Sequence, residues 1–196
     1  MLISRKRQRV VRAVDDEETD DVSEVHNIGN CVYFYAPVTS GNVLKLITCL
    51  RNANECASRV PHVESRVYLY IHSGGGDAYA GLSAMDHIRS NPVAVTAIVD
   101  GMVASAASFI LLGADDRRCM PHSFVRIHQV SISGFEGKYV DFVDELENTN
   151  SLMDVVRDVY MKNTSLTRKR LDEILKKEID MNAQTCIKEG IVQCLM

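Results

Sequence analysis

The chain has 196 residues, 46% hydrophobic and 24% charged, which suits one domain of ordinary size with a sizeable core. A net charge of −4 argues against broad binding to a phosphate backbone. The absence of Trp, with aromatics at only 6%, argues against stacking platforms for single-stranded nucleic acid, and Gly, Pro or charge breaks each apolar run well short of a membrane span.

Residues 1–27 divide from the rest by charge. "RKRQRVVR" (5–12) is basic and "DDEETDD" (15–21) is acidic; such blocks are predicted to be solvated and flexible. No apolar run precedes a cleavage site, so secretion is not indicated. The six cysteines are scattered without a CxxC pair or a zinc-type cluster, which predicts reduced thiols, no metal and a cytoplasmic setting.

Residues 28–196 alternate strand and helix signals and are read as one domain. "CVYFYAPV" (31–38) is a β-branched and aromatic strand ended by Pro. "SGNVLKLITCLRNANECA" follows, with Ser40 as a possible cap and Val43, Leu46, Ile47 and Leu50 on one helical face. "RVYLYIH" (66–72) is a strand, "AGLSAMDHIRSN" (80–91) a helix stopped by Pro92, and "VAVTAIVDG" (93–101) a strand. "SAASFILLGA" reads as a buried helix starting near Ser105, and "SFVRIHQV" (123–130) as a strand. A long amphipathic segment near 137–163, a helix near 167–177 and a small closing element near 183–195 complete the chain. Short connectors between alternating elements predict an α/β fold with a mainly parallel sheet.

Three features fall at the C-terminal ends of predicted strands, where open α/β sheets bind ligands. The glycines of "HSGGGDAYAG" (72–81) allow close backbone approach and exposed N–H groups, as in an oxyanion site, although a tight strand–helix turn also needs them. The run matches neither GxGxxG nor GxxxxGK[ST], which disfavours nucleotide binding. Ser105, at a helix start, is either a cap or a hydroxyl held near the positive end of the helix dipole. His128 is either a satisfied structural histidine or a base at a strand end.

Their order resembles one family, the Clp protease proteolytic subunit (ClpP). Its pattern runs strand–"SPGGS"–helix, "GxAAS(M/A)(G/A)", then "(R/S)xMIHQP"; this chain reads "YLYIHSGGGDAYAG", "GMVASAAS" and "RIHQV" at nearly the same intervals. Gly74 stands in place of the family's Pro in the first motif, and Val130 in place of the Pro after "HQ".

The resemblance implies a ClpP/crotonase-like fold of repeated β-β-α spiral units, with a handle strand and helix after residue 130. It implies a serine endopeptidase with Ser105 as nucleophile and His128 as general base. Gly76 and Ala106 would supply the oxyanion-hole N–H groups. The family's acid maps to Glu178 in "KKEIDMNAQ", with Asp180 as the less favoured alternative. No cofactor is implied for peptide cleavage, since ATP is used by an AAA+ unfoldase partner. Unfolded proteins and peptides would be the substrates, inside two rings of seven subunits, a tetradecamer. Two other readings stand beside it: an acyl-CoA enzyme of the crotonase type, which uses carboxylates rather than a Ser–His pair, and a degenerate subunit that only builds or regulates a ring.

Overall fold

The computed structural model describes residues 24–59, 65–132 and 134–196. The basic and acidic blocks of the N-terminal segment lie outside these residues. The described chain begins in strand β1 (Glu24–Ile28), so residues 24–27, grouped by sequence with the charged segment, are part of the sheet. β1 turns back on β2 (Cys31–Tyr35) as an antiparallel hairpin.

From β2 the chain follows the predicted alternation: α1 (Ser40–Ser58), β3 (Arg66–Ser73), α2 (Ala78–Arg89), β4 (Ala94–Ala104) and α3 (Ala107–Leu112). Then come β5 (Asp116–Cys119), β6 (Phe124–Arg126), α4 (Tyr139–Asn163), α5 (Arg168–Leu175), β7 (Met181–Asn182), α6 (Ala183–Lys188) and β8 (Cys194–Leu195). The strands form one sheet with the spine β1-β2-β3-β4-β5-β8. Pairings β2–β3, β3–β4, β4–β5 and β5–β8 are parallel, as crossover connections demand. The α/β class and mainly parallel sheet agree with the sequence.

Local chemistry explains most boundaries. The cap of α1 is Thr39, one residue before the expected Ser40; its hydroxyl accepts from Asn42 N–H at 3.2 Å. Asp77 caps α2, accepting from the N–H groups of Tyr79 and Ala80 at 2.8 and 3.2 Å. β3 alternates strictly: Val67, Leu69 and Ile71 are buried on the helix-covered face, while Tyr68, Tyr70 and His72 face the other way. There Tyr33 stacks on Tyr70 and His26, and Tyr35 on His72. Central β4 is buried on both faces from Val95 to Val99, as a covered parallel strand requires.

Two features escaped the sequence reading. β5 is "DRRC", whose charges mask an alternation in which Arg117 and Cys119 point inward. Arg117 is buried because its guanidinium donates to the carbonyls of Ile191 (2.9 Å) and Asn163 (2.8 Å), joining the closing segment to the end of α4. β4 also continues beyond Gly101: residues 96–99 pair with β5, and 102–104 pair with β6. The register against β3 slips between Ile71 and Ser73, so the strand bulges at this change of partner. That bulge aims the end of β4, and the residue after it, toward β6.

The handle's helix is α4; between residues 127 and 138 the described residues form no strand. All six cysteines are free thiols. No helix among the described residues is long and apolar enough to cross a membrane.

Candidate active site

Ser105 sits in the two-residue turn between β4 and α3, not in the helix. Its φ is +53°, the one positive value at a non-glycine among the described residues. For an L-residue this left-handed conformation costs about 1–2 kcal/mol, so it persists only where neighbours enforce it. Ser105 N–H donates to Arg126 O at 2.9 Å, on β6. Its carbonyl accepts from Ser108 N–H at 2.9 Å and from the Ser108 hydroxyl at 2.5 Å. Gly75 closes the third side: a Cβ built there would lie 2.6 Å from Ser105 Cβ and 2.7 Å from Ala104 O. Only glycine fits at that approach, and its φ of +98° also favours glycine.

The glycine turn is held to the segment after β2. Val38 N–H donates to Gly75 O, and Asp77 N–H donates to Val38 O, each at 2.8 Å. Gly76 lies between them in a parallel bridge to Val38, so its own N–H points to the opposite side. That N–H has no partner among the described residues, nor has Ala106 N–H. Ala106 owes this to its place at the start of α3, where first-turn donors lack intrahelical acceptors.

His128 lies two residues beyond β6, half-buried. Its Nδ1 is 2.6 Å from the carbonyl of Gln129. A carbonyl only accepts, so in this contact Nδ1 carries the hydrogen, and the neutral tautomer consistent with it has its lone pair on Nε2. Ser105, Ala106, Gly76 and His128 all line one cavity of about 640 Å³. Its apolar wall includes Phe109, Leu152, Val156 and Tyr160.

The carboxylates are placed differently. Asp180 accepts from Arg126 Nε at 2.7 Å, and this bond holds its carboxyl below the usual aspartate range. Glu178 is exposed and makes no hydrogen bond among the described residues, though its charge reaches Arg126. Neither lines the cavity, and among the described residues no carboxylate bonds to the His128 ring.

Sequence reading named Ser105, Ala106, Gly76 and His128, which the fold brings to one cavity, but missed the contribution of α4. Leu152, Val156 and Tyr160 recur at helical spacing of four; the periodicity marked a helix, but nothing local said what its buried stripe faces. Ser108 belongs to the stretch that the sequence marks as a buried helix. It is fully buried, but its hydroxyl also bonds Ser105 O and Tyr160.

A family model described as Clp protease matches residues 57–196. The chain belongs to the Clp protease family. It is 31% identical over 131 residues to an ATP-dependent Clp protease proteolytic subunit of Deinococcus radiodurans, covering 66% of this chain and 64% of that one. A subunit of the same description from Marchantia polymorpha is 34% identical over 128 residues, covering 64% of this chain and 63% of the relative. The matches thus span less than two thirds of these relatives' own length. Among solved structures, a ClpP1 mutant from Listeria monocytogenes superposes with a TM-score of 0.74 at 18% identity, over 86% of this chain and 91% of that one. At that identity the likeness is one of fold. Among the described residues no group of three or more His, Cys, Asp or Glu is placed to hold a metal ion.

Proposed function

We propose that this Clp protease family chain is a serine endopeptidase subunit that cleaves unfolded polypeptide. The observation that carries this reading is the convergence at one cavity of a left-handed serine, a histidine whose Nδ1 faces a backbone carbonyl and two unpartnered backbone N–H groups. Acyl transfer needs those parts together.

Ser105 Oγ attacks the peptide carbonyl carbon as His128 Nε2 takes its proton. The Gly76 and Ala106 N–H groups hold the oxyanion. The intermediate collapses as His128 returns the proton to the leaving amine, giving the Ser105 acyl ester, and water deprotonated by His128 then releases the acyl group. With Asp180 engaged by Arg126, Glu178 is the carboxylate assigned to stabilise the imidazolium. No cofactor enters these steps. By analogy with the family, the subunit works in a chamber of two heptameric rings fed by an AAA+ unfoldase in a reducing, cytoplasmic compartment.

A fluorophosphonate probe tests the chemistry. Mass mapping is expected to find a single adduct on Ser105, absent from Ser105→Ala, with peptidase activity reduced on the order of 10⁶-fold in that variant. An unlabelled Ser105 in the assembled protein sinks the assignment and leaves the ring-building role.

A further inference from the structure

We infer that Tyr160, acting through the Ser108 hydroxyl, is a positioning residue that holds the Ser105 elbow in its reactive shape. This rests on the peptidase reading above. Tyr160 is on α4, 52 residues beyond Ser108, and its hydroxyl lies 2.6 Å from Ser108 Oγ. Both side chains are fully buried. Ser108 has one hydroxyl hydrogen, and the geometry gives it to Ser105 O at 2.5 Å. Tyr160 must therefore be the donor to Ser108, completing a chain Tyr160 O–H to Ser108 O–H to Ser105 C=O. Burial raises the Tyr160 phenol above its ordinary range, so it is a protonated donor at neutral pH.

A serine bonding back three residues is common at helix starts and by itself indicates nothing. Here the accepting carbonyl belongs to the left-handed serine, and rotating that peptide would carry Oγ and Ala106 N–H with it. Strand β6 anchors the other end through Arg126 O, so the Ser108 side is where α4 controls the elbow. The Tyr160 ring is fixed in turn against Phe109 of α3, with centroids 5.9 Å apart. Aligned hydrogen bonds in a dry interior polarise one another, so losing the outer one weakens the inner.

The test is a cycle of Ser108→Ala, Tyr160→Phe and the double variant. The readouts are the second-order rate of fluorophosphonate acylation at Ser105, kcat and KM on a peptide, and Tm. Ser108→Ala is expected to slow acylation about 10- to 100-fold through misplacement of Oγ. Tyr160→Phe should slow it about three- to tenfold, the loss of one neutral hydrogen bond. The double variant should react no more slowly than Ser108→Ala, because Tyr160 acts only through Ser108. The loss should fall on kcat, with KM within about twofold.

A purely structural role would lower Tm and leave acylation below Tm at the wild-type rate; that result, for either single variant, overturns the inference. So does a Tyr160→Phe effect that persists in the Ser108→Ala background. If Ser108→Ala does not fold, the near-isosteric Ser108→Cys takes its place in the cycle. A wild-type protein that the probe does not label fails the peptidase reading and takes this inference with it; labelled wild type with unchanged variants fails this inference alone.

Discussion

The Ser105 elbow and the segment carrying Glu178 and Asp180 serve one proposed reaction but are held in opposite ways. Ser105 is fixed by its N–H, its carbonyl and the glycine behind its Cβ, all inside packed structure. The acidic segment is exposed from Lys176 to Asp180. Asp180 there is held by charge pairing to Arg126, with side chains 37% and 35% exposed. Exposed pairs contribute little and are easily redirected, whereas a backbone elbow cannot shift without moving its neighbours. Nucleophile geometry is thus written into the chain's own packing, while the carboxylate's place depends on which cation claims it.

Gly75→Ala breaks the tightly held side. The new Cβ would overlap Ser105 Cβ at 2.6 Å and Ala104 O at 2.7 Å in a backbone already at φ +98°. The glycine or the elbow must move. Stability is expected to fall by roughly 2 kcal/mol, read by denaturant unfolding. Fluorophosphonate labelling of Ser105 should fall at least about 100-fold, since a shift near 1 Å has that effect on an aligned nucleophile. Labelling within a few-fold of wild type would show that the elbow tolerates displacement and that the contrast is overstated.

This contrast also explains what could be read from sequence. The order of glycine turn, "AS" pair and strand-end histidine is local and was visible, as was the α/β alternation behind it. The turn at Ser105 was not: a positive φ at serine has no residue-type signal, so the helix was expected to begin there rather than at Ala107. Strand β5 was hidden because Arg117, a charged residue, is buried by partners 46 and 74 residues away. Arg126 pairs with Asp180 across 54 residues, which no local pattern reveals. Non-local partners of polar side chains defeated the reading in the last two cases.

Glu178→Gln tests the loose side. Where a carboxylate fixes the histidine tautomer, its amide replacement lowers kcat about 10⁴-fold, largely through the wrong tautomer. Here the Gln129 carbonyl already accepts from Nδ1, so only the stabilisation of the imidazolium is lost. The expected fall in kcat is on the order of 10- to 100-fold, measured on a fluorogenic peptide. A loss near 10⁴-fold would mean that Glu178 displaces the Gln129 contact during turnover; no loss would remove Glu178 from the mechanism.

Asp180→Asn has the smallest expected effect, and its signature is a pH dependence. The Arg126 hydrogen bond depresses the Asp180 pKa in the folded chain, so the folded state resists protonation more than the unfolded one. A group depressed in this way contributes its stability above the unfolded pKa and loses it as pH falls through the folded value. The Tm difference between wild type and Asp180→Asn should therefore be constant above about pH 5 and shrink toward zero in acid. Peptidase activity near neutral pH should stay within about twofold, because Asp180 is engaged by Arg126 and Glu178 is the carboxylate assigned to His128. If activity drops as far as in Glu178→Gln while Tm keeps its wild-type pH profile, the two carboxylates have exchanged roles: Asp180 leaves Arg126 to serve His128 in the working enzyme.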